Sequence, residues 1–296
     1  MKKRILVTGV SGFIGQHLLF RLLKQNDAVY GILRKSKKNK KFANKVVYKH
    51  KNFYPIFFKK INELNFKLKK IKVNILINLA TQYLKDHKFS EMIKLINSNI
   101  LFTTAVIEAL PKNNMRKFIN LSSMMLHNNS KNYEPQNLYS ATKKAFIDIL
   151  RFYEIKYKNI KFFNLTIYDT FGLNDKRIKV IPEIIKKYKL NKIVKIYSKK
   201  LELNLLSVND VCQGIEILIK KPIPAGQYKI MSKKFTNIEK LIIKTNKKLK
   251  RKIKYRITNQ KVNKRILTNT KNLPFWKQRY NIESNILNYI NESNKN

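Results

Sequence analysis

The sequence is poor in several residue types, and each shortage limits what the protein can be. Its single cysteine, Cys212, excludes an internal disulfide and any zinc site built from cysteines. No apolar run approaches the roughly 20 residues that a membrane-spanning helix needs. The basic start followed by Ile5-Leu6-Val7 resembles a signal peptide, but Thr8, Ser11 and nearby glycines interrupt the apolar segment. We therefore expect a cytoplasmic protein without a membrane anchor.

Acidic residues are also scarce. The chain has 17 aspartates and glutamates against 64 lysines and arginines, so its formal net charge is +47. Such basicity often indicates a nucleic-acid partner. Here, however, 54 of the basic residues are lysine and only 10 are arginine, whereas proteins that read bases rely on arginine. Lys, Asn, Ile, Phe and Tyr are enriched together, which is typical of an AT-rich coding sequence. We expect compositional drift and no nucleic-acid partner, although a polyanion partner stays open.

Glycine is the third scarce residue, with seven in 296 positions, yet Gly9, Gly12 and Gly15 fall within seven residues of one another. They follow an apolar run and precede a helix-like segment. The first glycine allows a sharp turn, the second lets backbone N–H groups approach a pyrophosphate, and the third lets the helix pack on the strand. The helix N-terminus adds unpaired N–H donors. The motif predicts a dinucleotide site; the alternative is a glycine-rich turn without a ligand.

Strand and helix signals alternate through the first half of the chain. Buried-strand patterns occur at 4–8, 28–34, 73–79, 117–121 and 160–166, and helical patterns at 16–24, 57–70, 89–110 and 139–158. Between them we predict a charged loop at 35–41 and a short third strand at 45–48. This alternation predicts an α/β fold, a Rossmann-type doubly wound parallel sheet with ligands at the carboxyl ends of its strands.

The pattern loosens after residue 168, which predicts two domains. Residues 1–168 form a dinucleotide-binding Rossmann domain that carries the catalytic residues. Residues 169–296 form a smaller C-terminal substrate-binding lobe, interleaved with the end of the sheet. We also expect an exposed lysine-rich helix or loop at 247–254 and a frayed tail after Glu292.

A tyrosine and a lysine one helical turn apart, Tyr139 and Lys143, carry the candidate chemistry. A nearby cation stabilises a phenolate, so the Tyr139 pKa should fall from about 10 towards working pH and allow proton exchange with a substrate oxygen. Three pairs with this spacing occur, about as many as chance predicts: Tyr139/Lys143, Tyr157/Lys161 and Tyr188/Lys192. Only Tyr139 opens a helix after a strand that ends in Ser122-Ser123. Position therefore favours Tyr139; the alternative is a surface tyrosine beside a solvated lysine.

Together these residues resemble the extended short-chain dehydrogenase/reductases, and among them the NAD-dependent epimerase/dehydratase family of nucleotide-sugar enzymes. The matching motifs are Thr8 to Gly15, Leu79-Ala80, Asn99, Ser122-Ser123 and Tyr139 with Lys143. The resemblance implies that Ser123, Tyr139 and Lys143 are catalytic. The implied cofactor contacts are Gly9, Gly12, Phe13, Ile14, Gly15, Arg34, Leu79, Ala80, Asn99 and Lys143. The implied substrate contacts are Thr81, Met124, Asp169 and Arg177.

Departures from the family pattern narrow the expected reaction. Sugar 4,6-dehydratases carry an Asp-Glu pair where this chain has Met124-Met125, and methionine cannot transfer a proton. The second strand ends in Arg34-Lys35, without the carboxylate that binds both ribose hydroxyls of NAD. NADP(H) is therefore favoured, and NAD(H) stays open. The stretch from Tyr168 to Asp175 resembles the 4-ketoreductases of deoxysugar biosynthesis, the group that includes CDP-abequose and CDP-paratose synthases.

We therefore expect an NADPH-dependent reductase of a nucleotide-linked 4-keto-6-deoxysugar, with a nucleotide-diphosphate sugar as its substrate. A homodimer through the two long helices is the family habit. One alternative is a nucleotide-sugar 4-epimerase with tightly bound NAD. The other is a non-catalytic dinucleotide-sensing or nucleic-acid-binding protein on the same fold, although such a protein needs no proton donor. The four histidines lack a second ligand at metal spacing, so we expect no metal site.

Overall fold

The computed structural model describes residues 2–128, 131–260 and 268–293. The strands are β1 (Arg4–Thr8), β2 (Ala28–Arg34), β3 (Phe53–Phe58), β4 (Ile75–Asn78), β5 (Lys117–Ser123), β6 (Lys161–Ile167), β7 (Asp169–Phe171), β8 (Val194–Ile196), β9 (Glu202–Leu203), β10 (Leu205–Ser207), β11 (Gly226–Ile230), β12 (Thr236–Asn237), β13 (Tyr255–Ile257) and β14 (Lys271–Asn272). The helices are α1 (Phe13–Lys24), α2 (Lys37–Lys49), α3 (Glu63–Leu68), α4 (Phe89–Ile96), α5 (Phe102–Ala109), α6 (Leu138–Lys156), α7 (Val180–Lys189), α8 (Val208–Lys220), α9 (Ile238–Lys248) and α10 (Ile282–Ser293).

Eight strands form one parallel sheet in the order β14-β11-β6-β5-β4-β1-β2-β3. The chain runs outwards from β1 to β3, then returns to the other side of β1 with β4. The strand order therefore reverses between β1 and β4, and a crevice opens at their carboxyl ends. The predicted Rossmann-type doubly wound sheet is confirmed.

Both faces of the sheet are covered, and the sequence alternation of each strand decides which side chain goes where. In β1, Ile5 and Val7 pack with α1 and α8 on one face, while Leu6 packs with α3, α5 and α6 on the other. Phe162 and Phe163 of β6 divide between the faces in the same way. Because parallel strands are buried on both sides, they read as continuous apolar runs.

The region between β2 and β4 differs from the prediction. The charged loop predicted at 35–41 and the strand predicted at 45–48 are wrong, because α2 begins at Lys37 and runs to Lys49. Its N-cap is Ser36, which accepts a hydrogen bond from the Asn39 N–H, and it buries only Ala43 and Val46 while its lysines face solvent. The third strand is β3, which begins at Phe53, so the helix predicted over 57–70 shortens to α3.

A third apolar cluster underlies the smaller lobe. It includes Phe171, Ile184, Leu205, Leu241 and Ile290, from β7, α7, β10, α9 and α10. Between these elements the chain returns to the main sheet as β11 and β14. Two-stranded pairs join β7 with β10, β8 with β13 and β9 with β12. The lobe and the sheet are thus interleaved, and the division at residue 168 stays a prediction.

Two further observations concern the chain as a whole. Among the described residues, none of the helices has both the length and the apolar character needed to cross a bilayer. The last helix ends at Ser293, so most of the tail predicted to fray after Glu292 lies outside the described residues.

Candidate active site

The three glycines form a tight turn between β1 and α1. Gly9 adopts a φ of +66°, and a Cβ there would lie 2.7 Å from the backbone nitrogen of Ala80. A Cβ on Gly15 would lie 2.1 Å from the Gly9 carbonyl oxygen, so only glycine lets the helix sit on the turn. Gly12 is the N-cap of α1, with no capping side chain and no acidic residue in the first turn. The first N–H groups of α1 are therefore free to meet an anion.

A chain of hydrogen bonds crosses the sheet beneath this turn. The Thr8 hydroxyl donates to Asn78 Oδ1 at 2.7 Å, Asn78 Nδ2 donates to Asn120 Oδ1 at 2.9 Å, and Asn120 Nδ2 donates to Asn164 Oδ1 at 2.7 Å. These four residues are buried and stand side by side on β1, β4, β5 and β6. Thr8 Oγ1 also accepts the N–H groups of the two residues after β4, Leu79 and Ala80, at 3.1 Å each. These hydrogen bonds hold the segment after β4 against the end of β1.

Asn99 also holds the loop after β4, through hydrogen bonds to two other residues of that loop. It lies in a π-helical turn, Asn97–Leu101, which joins α4 to α5; such turns concentrate at functional sites. Its Oδ1 accepts from the Thr81 hydroxyl at 3.0 Å and from the Gln82 N–H at 2.8 Å. Its Nδ2 donates to Thr142 Oγ1, and the Thr142 hydroxyl in turn donates to the Tyr139 carbonyl oxygen. Asn99 therefore ties the β4 loop to the helix that carries Tyr139.

Tyr139 stands in the first turn of α6, capped by Asn137. Tyr139 is only 8% exposed, and the hydroxyls of Thr81 and Ser123 lie near enough to its phenol to act on the pKa. Ser123 ends β5 and also accepts the Met125 N–H at 3.2 Å. The loop after β4, the end of β5 and the start of α6 thus each bring a hydroxyl to this part of the crevice.

Burial raises the Tyr139 pKa above its usual value of 10, and it outweighs the lowering by the Lys179 charge and by the Thr81 and Ser123 hydroxyls. The expectation that the Tyr139 pKa falls is therefore wrong for the protein alone. The physical reason is desolvation, which favours the neutral phenol. The cation that does lower the pKa comes from α7, not from the neighbouring turn of α6.

Lys143 lies one turn after Tyr139 and is 3% exposed. Burial lowers its pKa to about 8. Across residues 2–128, 131–260 and 268–293 its ammonium donates no hydrogen bond and forms no ion pair. An ammonium on a largely buried side chain, without a protein acceptor among the described residues, fits a site that a polar ligand completes. Together with the close-packed glycine turn and the uncapped start of α1, it fits a dinucleotide whose pyrophosphate meets α1 and whose ribose meets Lys143.

A model of the NAD-dependent epimerase/dehydratase family matches residues 5–232 of the chain. The chain belongs to this family. Its relatives include CDP-abequose synthase of Salmonella muenchen, which is 26% identical over 231 residues, 78% of this chain and 74% of that protein. The family comprises NAD-dependent enzymes that modify nucleotide sugars, so the chain is an enzyme of that kind.

Solved structures of similar proteins agree with the fold. UDP-N-acetylglucosamine 4-epimerase of Methanobrevibacter ruminantium M1, in complex with UDP-N-acetylmuramic acid, matches with a TM-score of 0.83 at 20% identity, covering 100% of this chain and 99% of the other. UDP-glucuronic acid 4-epimerase of Bacillus cereus, in complex with UDP-glucuronic acid and NAD, matches with a TM-score of 0.82 at 19% identity, covering 98% and 99%. At such identities the likeness establishes the fold alone.

A cleft of about 550 Å³ opens between the sheet and the smaller lobe of this family member. Of the predicted substrate residues, Met124 and Asp169 line it. Thr81 lies beside Tyr139, as described above. The fourth, Arg177, is held by Asp175 through two hydrogen bonds of 2.8 and 2.7 Å.

The Arg177 guanidinium also covers a predicted cofactor residue. It lies 4.4 Å from the centroid of the Phe13 ring, at the start of α1, and donates to the Thr170 carbonyl at 2.6 Å. Ile14, the residue after Phe13, is partly buried and packs against the apolar core beneath α1. Arg177 thus packs over the first residue of α1, and its role as a substrate contact stays a prediction.

Arg34 is exposed at the end of β2. Ser36 follows as the N-cap of α2, whose first turn contains no acidic residue, and the Asn39 amide donates to the Arg34 carbonyl. A side chain here reaches the adenosine end of a dinucleotide in this fold. The local charge is positive, since Lys35, Lys37 and Lys38 adjoin Arg34.

Sequence reasoning missed two residues that the structure brings to Tyr139. The Tyr83 ring packs edge-on against the Tyr139 ring, with 5.0 Å between centroids. Lys179, at the N-cap of α7, lies 4.9 Å above the Tyr83 ring and 3.1 Å from Asp169 Oδ1. Lys179 stands among many lysines, and Tyr83 lies in a loop without a motif, so no local signal marked them. Among the described residues, no group of His, Cys, Asp and Glu side chains could hold a metal ion.

Proposed function

We propose that the chain is an NADPH-dependent reductase of a nucleotide-linked 4-keto-6-deoxysugar. The observation that carries the proposal is the proximity of Tyr139 and Ser123, next to a cleft that is lined by Met124, Met125 and the Tyr83 ring that packs on Tyr139. This arrangement offers one proton donor. The two methionines offer no acid or base for the elimination that a 4,6-dehydratase performs. The similarity to CDP-abequose synthase supports the same class.

In the proposed reaction the dinucleotide, when bound, supplies a hydride to the keto carbon. Tyr139 donates its proton to the oxygen of that carbon, and Ser123 orients the oxygen by a hydrogen bond. Lys143 would donate to the nicotinamide ribose when the dinucleotide is bound. Thr81 and Asn99 keep the phenol in place through the hydrogen bonds described above. The chain's own contribution is thus position and proton supply.

For the cofactor we propose a preference for NADP(H). The end of β2 presents Arg34 and Lys35, and the start of α2 presents free N–H groups without an acidic neighbour. A 2′-phosphate would meet a positive field there, whereas a 2′-hydroxyl would find no carboxylate to bind.

A panel assay tests the reaction. NADPH oxidation is followed with CDP-, dTDP-, GDP- and UDP-linked 4-keto-6-deoxysugars, and the same panel is repeated with NADH. The proposal predicts one NADPH consumed per product with at least one substrate, and weaker activity with NADH. Turnover of a nucleotide sugar without added reduced cofactor would instead establish a 4-epimerase. Salt-dependent binding to nucleic acid at physiological ionic strength, with no turnover, would favour the non-catalytic alternative.

We further propose a homodimer formed by the helices on one side of the sheet. Large apolar side chains are exposed along α4, the π-helical turn and α6: Phe89, Ile93, Ile96, Leu101, Phe152 and Ile155. An apolar surface of this kind indicates an interface, and a second copy would cover it.

Cys212, the one thiol, is buried and unpaired, which suits a reducing compartment, so we place the enzyme in the cytoplasm.

A further inference from the structure

Lys179 belongs to a chain of three contacts that ends at the Tyr139 phenol. Its ammonium lies 3.1 Å from Asp169 Oδ1 and 4.9 Å from the centre of the Tyr83 ring. The Tyr83 ring in turn meets the Tyr139 ring edge-on at 5.0 Å. Asp169 and Lys179 come from β7 and the start of α7, and both line the cleft. The contacts therefore join the substrate side of the site to its proton donor.

Two lysines thus stand near Tyr139, and their environments differ. Burial lowers the pKa of Lys143 to about 8, without an acid to oppose it. Burial also acts against the charged form of Lys179, but the Asp169 carboxylate more than offsets it and raises the Lys179 pKa. Lys179 consequently stays charged at any working pH. The other groups that act on the phenol are Tyr83, Thr81 and Ser123, none of which carries a charge at neutral pH.

We propose that Lys179 is a positioning residue for proton transfer, which stabilises the Tyr139 phenolate from the substrate side, and that Asp169 limits how strongly it does so. This inference rests on the proton-donor role of Tyr139 in the proposed function. In that step the phenolic O–H bond breaks, the proton passes to the substrate oxygen, and the electron pair stays on the phenol. The negative charge then lies within the field of a fixed cation.

A substrate-free titration tests the inference. 3-Fluorotyrosine is incorporated at position 139 alone, and its fluorine resonance reports ionisation without interference from the other tyrosines. The midpoint is measured in the otherwise unchanged protein and in the Lys179→Met, Lys179→Arg and Asp169→Asn variants. Lys176→Met is the matched control, because it removes one exposed lysine from the same loop. Circular dichroism verifies that each variant is folded over the pH range used.

The expected shifts have opposite signs. Lys179→Met should raise the midpoint by about one pH unit, since the phenolate loses its cation and keeps Asp169 nearby. Asp169→Asn should lower the midpoint, since the Lys179 charge then acts on the phenolate without the opposing charge of the Asp169 carboxylate. Lys179→Arg and Lys176→Met should leave it close to that of the parent. If Lys179→Met does not fold, the downward shift in Asp169→Asn alone decides the question.

Unchanged midpoints in Lys179→Met or in Asp169→Asn would overturn the inference. In the reductase assay, Lys179→Met should lower kcat about 3- to 10-fold and move the alkaline limb of the kcat profile to higher pH. A rise in KM with an unmoved profile would mean that Lys179 only binds substrate, and would also overturn it. If no nucleotide 4-ketosugar is reduced, the proposed function fails, whereas the fluorine titration still tests the field of Lys179.

Discussion

At the scale of single residues, burial changes the pKa values of the two titratable side chains of the candidate catalytic pair. Tyr139 and Lys143 are both buried, and burial acts on them in opposite directions: it raises the pKa of the phenol and lowers that of the ammonium. The neutral phenol is therefore favoured at Tyr139, whereas Lys143, with a pKa of about 8, still carries its proton at pH 7. A bound dinucleotide and substrate would supply the polar partners that the charged forms lack.

Tyr139→Phe removes the proposed proton donor and keeps the ring. We expect turnover to fall roughly 10²- to 10⁴-fold, because general acid catalysis contributes about that much, while cofactor affinity stays unchanged. Tyr157→Phe is the control, since Tyr157 precedes Lys161 at the same spacing but lies at the far end of α6. Rates are measured under saturating NADPH. Full activity in Tyr139→Phe would remove this tyrosine from the mechanism.

Lys143→Met tests the cost of the buried ammonium. Because the folded pKa is about 8 and the ordinary value is 10.5, the unfolded chain binds more protons between these two values. The stability of the parent protein therefore rises with pH across that window. At pH 7 we expect the variant to be more stable by up to about 3 kcal/mol, with a gain that shrinks towards pH 10.

Urea unfolding at pH 7 and pH 10 measures this difference, and Lys176→Met serves as the control for the loss of one exposed charge. Activity should be lost in Lys143→Met although stability rises. A variant less stable than the parent at pH 7 would show that the ammonium is satisfied in the folded protein.

At the scale of elements, hydrogen bonds between side chains join the strands that bear the site. The Thr8-Asn78-Asn120-Asn164 chain crosses four neighbouring strands and runs in one direction, each amide donating to the next. It starts at the N–H groups of Leu79 and Ala80, which donate to Thr8 Oγ1, and it ends at Asn164 Oδ1. A buried network of this kind is stabilising only when every member has a partner.

Asn120→Ala breaks this chain at its centre. The Asn78 amide then loses its acceptor and Asn164 Oδ1 loses its donor, and both groups stay buried. Each unsatisfied group costs about 1–3 kcal/mol. We therefore expect a loss of about 2–5 kcal/mol in the free energy of unfolding. Asn44→Ala, on the exposed face of α2, should change stability by less than about 0.5 kcal/mol. Equal denaturation midpoints for the two variants would argue against the network.

At the scale of the whole molecule, charge and exposed apolar surface are distributed unevenly. The net charge of +47 opposes compaction and should attract anionic substrates from a distance. Some lysines are used structurally: the Lys117 ammonium donates to the Leu218 and Ile219 carbonyls at the end of α8. Exposed apolar side chains occur over much of the surface, and those of α4 and α6 form the face where the dimer is proposed.

Ile93→Glu tests the proposed dimer. Ile93 is 57% exposed on α4, so a carboxylate there should leave the fold intact but place a charge within the interface. We expect the dissociation constant to rise at least about 100-fold, or roughly 3 kcal/mol, as measured by sedimentation velocity. Phe66→Glu, on the exposed side of α3, is the control and should not change it. A parent protein that sediments as a monomer would contradict the proposal directly.

Local signals were enough to predict much of the fold. The apolar runs of β1, β4, β5 and β6 and the glycine turn predicted the parallel sheet and the start of α1, because these features depend on neighbouring residues. The region between β2 and β4 was predicted wrongly, because the lysines of α2 masked a helix with only two buried positions, Ala43 and Val46. The short C-terminal strand pairs could not be predicted, because each joins strands that are far apart in the sequence.

The sequence by itself determined the family and the fold class and predicted Ser123, Tyr139 and Lys143 as site residues, since glycine spacing and strand ends are local properties of the chain. Only the tertiary structure decided their protonation. Burial raised the Tyr139 pKa, and the packing of α7 within the smaller lobe brought Lys179 to Tyr83, where it forms an ion pair with Asp169. Electrostatic effects depend on distance and solvent exposure, and both arise when remote segments pack together.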